Sequence, residues 1–184
     1  GSGIFIPYPD PPLLETRGAM YDIDIEDLNG DGYADLILID TGAPNLIFLN
    51  NGDGRFVDGP AGTFSGDGDR EVAWGDVDGD GDLDAVVASS SNNTTGRLYL
   101  NDGSGRFSTT PDQTLSGRTR TVALGDVDGD GDLDAVFGGD TPNRPQDNPV
   151  QIHLNDGQGH FSETPDLTLG NQLAADVTLG DIDG

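Results

Sequence analysis

The sequence predicts an all-β protein built from four-stranded units that recur roughly every 50 residues. An acidic loop starts at Asp27, Asp76 and Asp126, and its beginning returns at Asp181. A second turn, rich in Asn and Gly and closed by an aromatic residue, lies between successive loops. Short apolar stretches with a period of two flank both features, which is typical of half-buried strands. Nothing in the chain shows a sustained helical period.

Each unit is predicted to contain four strands in the same order. The first strand precedes the acidic loop and alternates apolar with polar or small residues at Ile23/Ile25, Val72/Trp74, Val122/Leu124 and Val177/Leu179. The second strand follows each complete loop as a short apolar run at 36–39, 85–88 and 135–137. The third leads into the Asn-Gly turn at 46–49, 98–100 and 152–154. We expect the fourth to leave that turn directly from Phe56, Phe107 or Phe161.

The Asn-Gly turns occupy residues 50–56, 101–107 and 155–161. Each begins with Asn, places Gly at its third and fifth positions and ends in Phe. Tight hairpin turns need positive φ, which Gly adopts readily and Asn tolerates. These segments are therefore predicted to be hairpin turns between the third and fourth strands. Four strands per unit, repeated at this period, favour the blades of a β-propeller.

The acidic loop contains the residues that could bind a metal ion. Residues 76–84 return letter for letter as 126–134, with five Asp in nine residues. Carboxylates at positions 1, 3, 5 and 9, with a carbonyl at position 7, supply the hard oxygen ligands that Ca²⁺ takes in sets of six to eight. Gly at position 6 allows the positive φ that folds the loop around an ion. The sequence therefore predicts calcium sites.

Other metals and another calcium motif fit less well. Mg²⁺ prefers a small octahedral shell that keeps several waters. Transition metals lack their usual ligands, because Cys is absent and neither His153 nor His160 lies in an acidic loop. An EF-hand would place Glu at position 12, followed by a helix; here that position is Leu38, Val87 or Phe137 and the flanks are strand-like.

The charge of the chain excludes some partners. The 184 residues carry 34 acidic and 8 basic side chains, a formal net charge of −26. Nucleic acid and anionic membrane surfaces are bound through basic patches, so neither is expected as a partner. The alternative explanation of this charge is a generic acidic surface coat. A coat would not concentrate its Asp in one motif, whereas 15 of the 30 Asp fall in the acidic loops. No apolar run reaches the ~18 residues of a membrane span, and no signal peptide is visible.

The two motifs resemble a known family. Acidic loops followed by Leu-Asp-Ala-Val, and later Leu-Asn-Asp-Gly-x-Gly-x-Phe, are similar to the FG-GAP repeats of the integrin α-subunit propeller and their bacterial VCBS relatives. The resemblance covers about residues 19–184. It implies a β-propeller in which calcium sits in the hairpin between the first two strands of each blade. There the ion is structural and lies on the face opposite the usual ligand surface.

The resemblance implies three complete ligand sets and one truncated set. The first is Asp27, Asn29, Asp31, the carbonyl of Tyr33, and Asp35, with weaker binding expected because Asn29 is neutral. The second is Asp76, Asp78, Asp80, the carbonyl of Asp82, and Asp84. The third is Asp126, Asp128, Asp130, the carbonyl of Asp132, and Asp134. Asp181 and Asp183 begin a fourth set, which should not hold an ion unaided.

The predicted organisation is a Pro-rich arm at 1–18 followed by blades at 19–68, 69–118 and 119–172, with the first strand of another at 173–184. Propellers of this family usually close with six to eight blades. We therefore expect either a fragment of a longer protein or a chain that completes a ring or stack with other copies. Open sheet edges would otherwise favour aggregation.

The predicted function is an extracellular or cell-surface, non-enzymatic calcium-binding module with an adhesive, scaffold or assembly role. Its partner would be a protein or glycan at the cell surface, or another copy of the chain. The alternatives are a lectin-like propeller and a non-catalytic domain of a polysaccharide-active enzyme. Trp74 is predicted to be core rather than a sugar platform, and His153 and His160 to be surface residues. The insertion at 139–149 is the best candidate for a recognition loop, although most such loops are tolerated excursions.

Overall fold

A computed structural model describes residues 20–53, 56–58, 64, 68–89, 96–117, 119–139, 149–170 and 176–180. The whole of the predicted N-terminal arm and most of the 139–149 insertion lie outside these ranges. Within them every regular element is a β-strand. The predicted all-β class is therefore confirmed.

The strands form three four-stranded antiparallel sheets, each in simple sequence order. The first sheet contains β1 (Met20–Glu26), β2 (Asp35–Asp40), β3 (Leu46–Asn50) and β4 (Phe56–Asp58). The second contains β5 (Asp69–Gly75), β6 (Asp84–Ser89), β7 (Gly96–Tyr99) and β8 (Gln113–Leu115). The third contains β9 (Thr121–Gly125), β10 (Asp134–Gly138), β11 (Val150–His153) and β12 (Leu167–Leu169). The first strands of successive sheets are neighbours, since β5 contacts both β1 and β9. This arrangement is that of propeller-type blades.

The fourth strand differs from the prediction in two of the three sheets. Phe56 does open β4, but Phe107 and Phe161 make only isolated bridges, to Asn101 and Asn155. The strands β8 and β12 begin six residues after those Phe residues. The segments between contain Pro111 or Pro165, and proline cannot donate to a ladder. Pairing resumes just after each proline, where Asp112 N donates to Leu98 O and Asp166 N to Ile152 O, both over 2.9 Å.

The apolar core lies between successive sheets. Between the first two, Ile37 and Ile47 pack with Val87 and Tyr99 around the buried ring of Phe64. A second cluster joins Val86 and Leu98 of the second sheet to Val122 and Phe137 of the third. Both faces of a middle sheet are therefore covered, which is why β6 is buried along its whole length. Each interface between sheets has its own small core.

The prediction that His153 lies on the surface is wrong. Its side chain is fully buried, its Nδ1 lies 2.7 Å from the carbonyl oxygen of Ser162, and its ring meets Phe137 edge-on at 5.7 Å. His153 pairs with Ala135, as Tyr99 pairs with Ala85 in the second sheet, so it occupies an aromatic core position. Strand alternation did not reveal this, because the neighbouring sheet covers the face that was expected to be solvated.

The predictions for the other two singled-out side chains are confirmed. Trp74 is partly buried and packs against the first core cluster. Its indole N–H donates to Asp24 Oδ2 over 3.0 Å, across the boundary between the first two sheets. His160 is exposed, and its Nδ1 lies 3.3 Å from the carboxylate of Asp156. Trp74 therefore offers no exposed aromatic platform for a sugar.

Candidate metal centre

The three complete acidic loops each join the first and second strands of a sheet. The Gly at position 6 has positive φ in each, +86° at Gly32 and +99° at both Gly81 and Gly131. L residues rarely adopt this conformation, so glycine is needed for the reversal. The positive φ predicted for the Gly at position 6 is therefore present in all three loops.

Backbone N–H groups gather the carboxylates toward the inside of the loop. In the second loop Asp76 accepts from Gly79 N over 2.8 Å and from Gly81 N over 3.0 Å, one bond to each carboxylate oxygen. Asp78 accepts from Asp80 N, and Asp80 from Asp82 N. The third loop repeats each of these bonds. These bonds orient the negative groups without neutralising them.

The gathered carboxylates are close enough to share one ion. Asp76, Asp78 and Asp84 each offer an oxygen within 4.8 Å of the others, and so do Asp126, Asp128 and Asp130. Ca²⁺ binds oxygens at about 2.3–2.6 Å, so two of its ligands lie at most about 5 Å apart. The donor set is entirely oxygen, as a hard cation requires. The residues of the second and third loops therefore fit calcium.

The first loop is arranged differently. Asn29 donates from Nδ2 to Asp31 Oδ2 over 3.1 Å, while Asp27 accepts from Asp31 N and Gly32 N. Among the described residues, groups of three acidic side chains at metal-ligand spacing occur in the second and third loops and not in this one. Weaker binding at the first loop stays a prediction.

Side chains at position 7 turn away from the loop centre, toward the Asn-Gly turn of the same sheet. A Cβ on Gly103 would lie 2.5 Å from Asp82 Oδ2, and one on Gly157 would lie 2.5 Å from Asp132 Oδ2. Tyr33 covers Gly52 in the same way. This direction leaves the carbonyl as the group that position 7 can offer to an ion.

Burial opposes the charge of the ninth residue. The pKa of Asp84 is raised to about 6, mainly because its carboxyl is desolvated, and the charges of Asp78 and Asp80 add to the rise. The N–H groups of Asn101 and Val77 oppose this effect. Burial is also the main cause that raises the pKa of Asp78. A cation in the loop would relieve these unfavourable charges.

The ninth residue has a second role, which sequence reasoning missed. Asp84 accepts from Val77 N over 3.1 Å through one oxygen and from Asn101 N over 2.9 Å through the other. Asp35 and Asp134 make the same pair of bonds in their own sheets. This carboxylate therefore ties the acidic loop to the Asn-Gly turn. The signal was the recurrence of Asp at position 9 and Asn at the start of the turn in all three units.

The side chain of the Asn that begins the turn also bonds the acidic loop of the preceding sheet. Asn101 Nδ2 donates to Leu83 O of its own loop and to Leu28 O of the first loop, over 3.1 and 2.8 Å. Asn155 makes the corresponding bonds to Leu133 O and to Val77 O of the second loop, over the same distances. The Asn-Gly turn thus connects consecutive acidic loops.

Some predicted residues fall outside the described ranges. Asp181 and Asp183 do so, as does nearly all of the insertion at 139–149. Binding of a protein or glycan by that insertion stays a prediction. In the described part of the chain, no helix is long and apolar enough to cross a membrane.

Comparison with known proteins supports the repeat assignment. The family model described as FG-GAP-like repeat matches the chain twice, over residues 27–87 and 76–137. Both matches begin at the first Asp of an acidic loop and end in the second strand of the next unit. No curated protein matches the sequence.

Proposed function

Because this chain belongs to the FG-GAP-like repeat family, we propose that it is a calcium-binding β-propeller-type module whose ions are structural. The observation that carries the proposal is the convergence of Asp76, Asp78 and Asp84, and of Asp126, Asp128 and Asp130, on metal-ligand spacing. Bound calcium would supply the positive charge that these loops lack. Their carboxylates repel one another by about 1 kcal/mol per pair at ~4 Å in water, and by more where water is excluded.

The chain's own residues would divide the work of holding the ion. Positions 1, 3 and 5 supply carboxylate or amide oxygens that backbone N–H groups already orient. Position 9 supplies a carboxylate whose remaining lone pairs stay available, because each of its oxygens accepts one N–H bond. Position 7 supplies its carbonyl. An ion held in this way would order the hairpin and would commit the carboxylates at positions 1, 3, 5 and 9 to the metal, so we propose a non-enzymatic role.

The test is a calcium titration of the whole chain by calorimetry. Three binding events are expected, and the variant Asp80→Asn with Asp130→Asn should weaken two of them, because an amide offers the ion a neutral oxygen in place of a charged one. Asp102→Asn with Asp156→Asn is the matched control, because these exposed Asp lie in the Asn-Gly turns and remove the same charge. Absence of binding at millimolar calcium in the unaltered chain would overturn the proposal, as would equal losses in the two double variants.

We further propose that the module acts outside the cell in adhesion or as a scaffold. Millimolar to submillimolar calcium affinity is typical of extracellular modules, and loops as exposed as those at Asp128 and Asp130 fit that range. Exposed loops on a rigid sheet scaffold are also common in proteins that bind partners. Detection of the native protein in a cytoplasmic fraction alone would contradict this location.

One surface favours self-assembly as the scaffold role. On β1, Ile23 and Ile25 are 56 % and 64 % exposed, on the face of the first sheet that turns away from the second. Their counterparts in the second sheet, Val72 and Trp74, pack against the first sheet. The chain thus shows what covers this face elsewhere: the sheet of another blade. We propose that a second copy of the chain covers it here.

Mass in solution by light scattering tests the assembly role. At micromolar concentration the measured mass should exceed that of one chain. Ile25→Glu should reduce this mass, because burying the added charge in the interface is unfavourable. Thr109→Glu, at an exposed turn, adds the same charge elsewhere and should leave the mass unchanged. A monomer at every concentration would overturn the self-assembly role and leave calcium binding untouched.

A further inference from the structure

The Asn residues that open the second and third Asn-Gly turns each bond two acidic loops from different sheets. We propose that neighbouring metal loops are coupled through Asn101 and Asn155, so that an ion in one loop raises the affinity of the next. This inference rests on the proposed calcium function. It concerns positioning residues that contact no ion themselves.

The contacts of Asn155 show how the coupling would work. Its Nδ2 donates to Val77 O, between Asp76 and Asp78 of the second loop, over 2.8 Å. The same nitrogen donates to Leu133 O of the third loop over 3.1 Å, and Asn155 N donates to Asp134 Oδ1 over 2.9 Å. The residue is 6 % exposed. One buried amide therefore fixes backbone that adjoins ligands of both loops.

Close packing reinforces the link. Gly159, in the same turn as Asn155, donates from its N to Val77 O over 3.0 Å. A Cβ on Gly159 would lie 3.1 Å from Asp78 Cβ, so the turn of the third sheet rests directly on a ligand residue of the second loop. Gly105 packs against the first loop in the same way. A Cβ on Gly105 would lie 3.5 Å from Leu28 Cβ and 3.8 Å from Asn29 Cβ.

Two states of the loop connect these contacts to metal binding. Repulsion among the carboxylates favours an open loop without an ion, and the ion favours the closed loop described above. The Asn155 bonds form fully only when the second and third loops are both closed. An opened loop on either side would leave a buried amide donor without its acceptor, which is unfavourable. Closing one loop thus favours closing its neighbour, and by linkage the effect must be equal in both directions.

The first sheet supplies a control within the same chain. Asn50 begins the turn of that sheet, and its Nδ2 donates to Ala34 O of its own loop over 3.0 Å. Among the described residues its side chain reaches no second loop. Replacement of Asn50 should therefore leave the coupling between loops in place, whereas replacement of Asn101 or Asn155 should remove the coupling between the two loops that each one joins.

Glycine amide resonances give a separate reading of each site. Gly32, Gly81 and Gly131 each donate to the first Asp of their own loop, so their amide shifts should follow the loop that contains them. Calcium is titrated into the whole ¹⁵N-labelled chain. Asp80→Ala disables the second site by removing a ligand. It should not disturb the other loops directly, because the Asp80 side chain accepts from Asp82 N within its own loop.

With Asn155 present, Asp80→Ala should raise the calcium midpoint at Gly131 by about 5-fold or more, the lower end of ordinary allosteric coupling. Loss of a like charge would by itself lower that midpoint, so charge alone predicts the opposite sign. In the Asn155→Ala background, Asp80→Ala should leave the Gly131 midpoint unchanged or lower it. In the Asn50→Ala background, Asp80→Ala should still raise the Gly131 midpoint, because the bonds that the structure describes for Asn50 join it to no second loop.

A second measurement needs no Asn substitution and serves if Asn155→Ala does not fold. By reciprocity, Asp130→Ala should raise the midpoint at Gly81 by the same factor that Asp80→Ala raises the midpoint at Gly131. Independent midpoints, or coupling that persists without Asn155, overturn this inference and leave the calcium sites intact. No response at any of the three glycines overturns calcium binding itself, and the coupling with it.

Discussion

At the scale of single residues, Asp24 shows how a half-buried carboxyl can lower stability while accepting a hydrogen bond. Its Oδ2 accepts the indole N–H of Trp74 over 3.0 Å. Burial raises the pKa of Asp24 above 3.8, the charge of Asp22 adds to the rise, and the Trp74 bond opposes it. The folded chain therefore holds this proton more tightly than the unfolded chain. Ionised Asp24 makes its largest unfavourable contribution above the raised folded pKa.

Replacement of Asp24 by Asn keeps an acceptor for Trp74 and removes the charge. We expect the free energy of unfolding at pH 7 to rise, and the difference from the parent protein to disappear as the pH falls toward 3.8. Trp74 is the only Trp in the chain, so its fluorescence reports both the urea transition and the titration of Asp24. A larger benefit at low pH than at pH 7 would contradict the sign.

Residues within one acidic loop should also divide into structural and metal-binding groups. Without metal, Asp84→Ala leaves two buried N–H groups, of Val77 and Asn101, without their acceptor. A loss of stability of about 1–3 kcal/mol is expected from such an unsatisfied group. Asp80→Ala removes a repelling charge and one exposed bond, so it should be neutral or slightly stabilising in chelator.

Urea unfolding in EDTA and in calcium separates the two effects. Both variants should lose stability relative to the parent protein when calcium is present, because both remove a ligand. Only Asp84→Ala should lose it in EDTA. Equal behaviour of the two in EDTA would mean that the ninth residue has no structural role of its own.

At the scale of elements, the first three strands of each unit and both turns could be predicted because their signals are local. Asp and Gly at fixed positions specify the acidic loop, and Asn-Gly chemistry specifies the turn. The start of β8 and β12 could not be read in this way, because strand pairing resumes only after Pro111 and Pro165. The burial of His153 depends on a neighbouring sheet, which periodicity within one strand does not describe.

The site was predictable to the same extent. The position of the oxygen ligands follows from spacing within nine residues. The bonds of Asp84 to Asn101, and of Asn155 to Val77, join residues 17 and 78 positions apart, so no local pattern indicates them. Recurrence of the same residues in three units is the only sequence signal for these long-range bonds.

Packing between elements makes a specific prediction for Gly96 in β7. A Cβ at this position would overlap the ring of Phe137 in the third sheet, which is 1 % exposed and has little room to move. Gly96→Ala should destabilise the protein by about 1–3 kcal/mol, the usual range for an overpacked core. Gly42→Ala is the control, since its Cβ would meet only Asp40 Oδ1 at 3.9 Å. Chemical denaturation of both variants measures the difference in the free energy of unfolding. Equal stability would show that Phe137 can move away from residue 96 without destabilising the protein.

At the scale of the whole molecule, the balance between core and charge is narrow. Leu, Ile, Val and Phe make up 44 of 184 residues, and the net charge is −26. The core is divided into separate clusters between sheets, so each interface buries few side chains. Self-repulsion of the folded chain opposes this limited burial. Calcium bound to the folded form alone would shift the balance by RT ln(1 + [L]/Kd), about 2.7 kcal/mol for each site at 100 times its Kd.

Removal of calcium should therefore unfold or strongly destabilise the chain. In low salt with excess EDTA we expect the thermal transition, followed by circular dichroism, to fall and to be restored by calcium more effectively than by magnesium. Added sodium chloride should recover part of the loss, because the screening length falls to about 10 Å at 0.1 M and exposed carboxylates then repel one another less. Salt cannot replace the ligand bonds, so recovery should stay incomplete. A melt that is identical in EDTA and in calcium would mean that the sheet cores hold the fold unaided and that the acidic loops are not part of its stability.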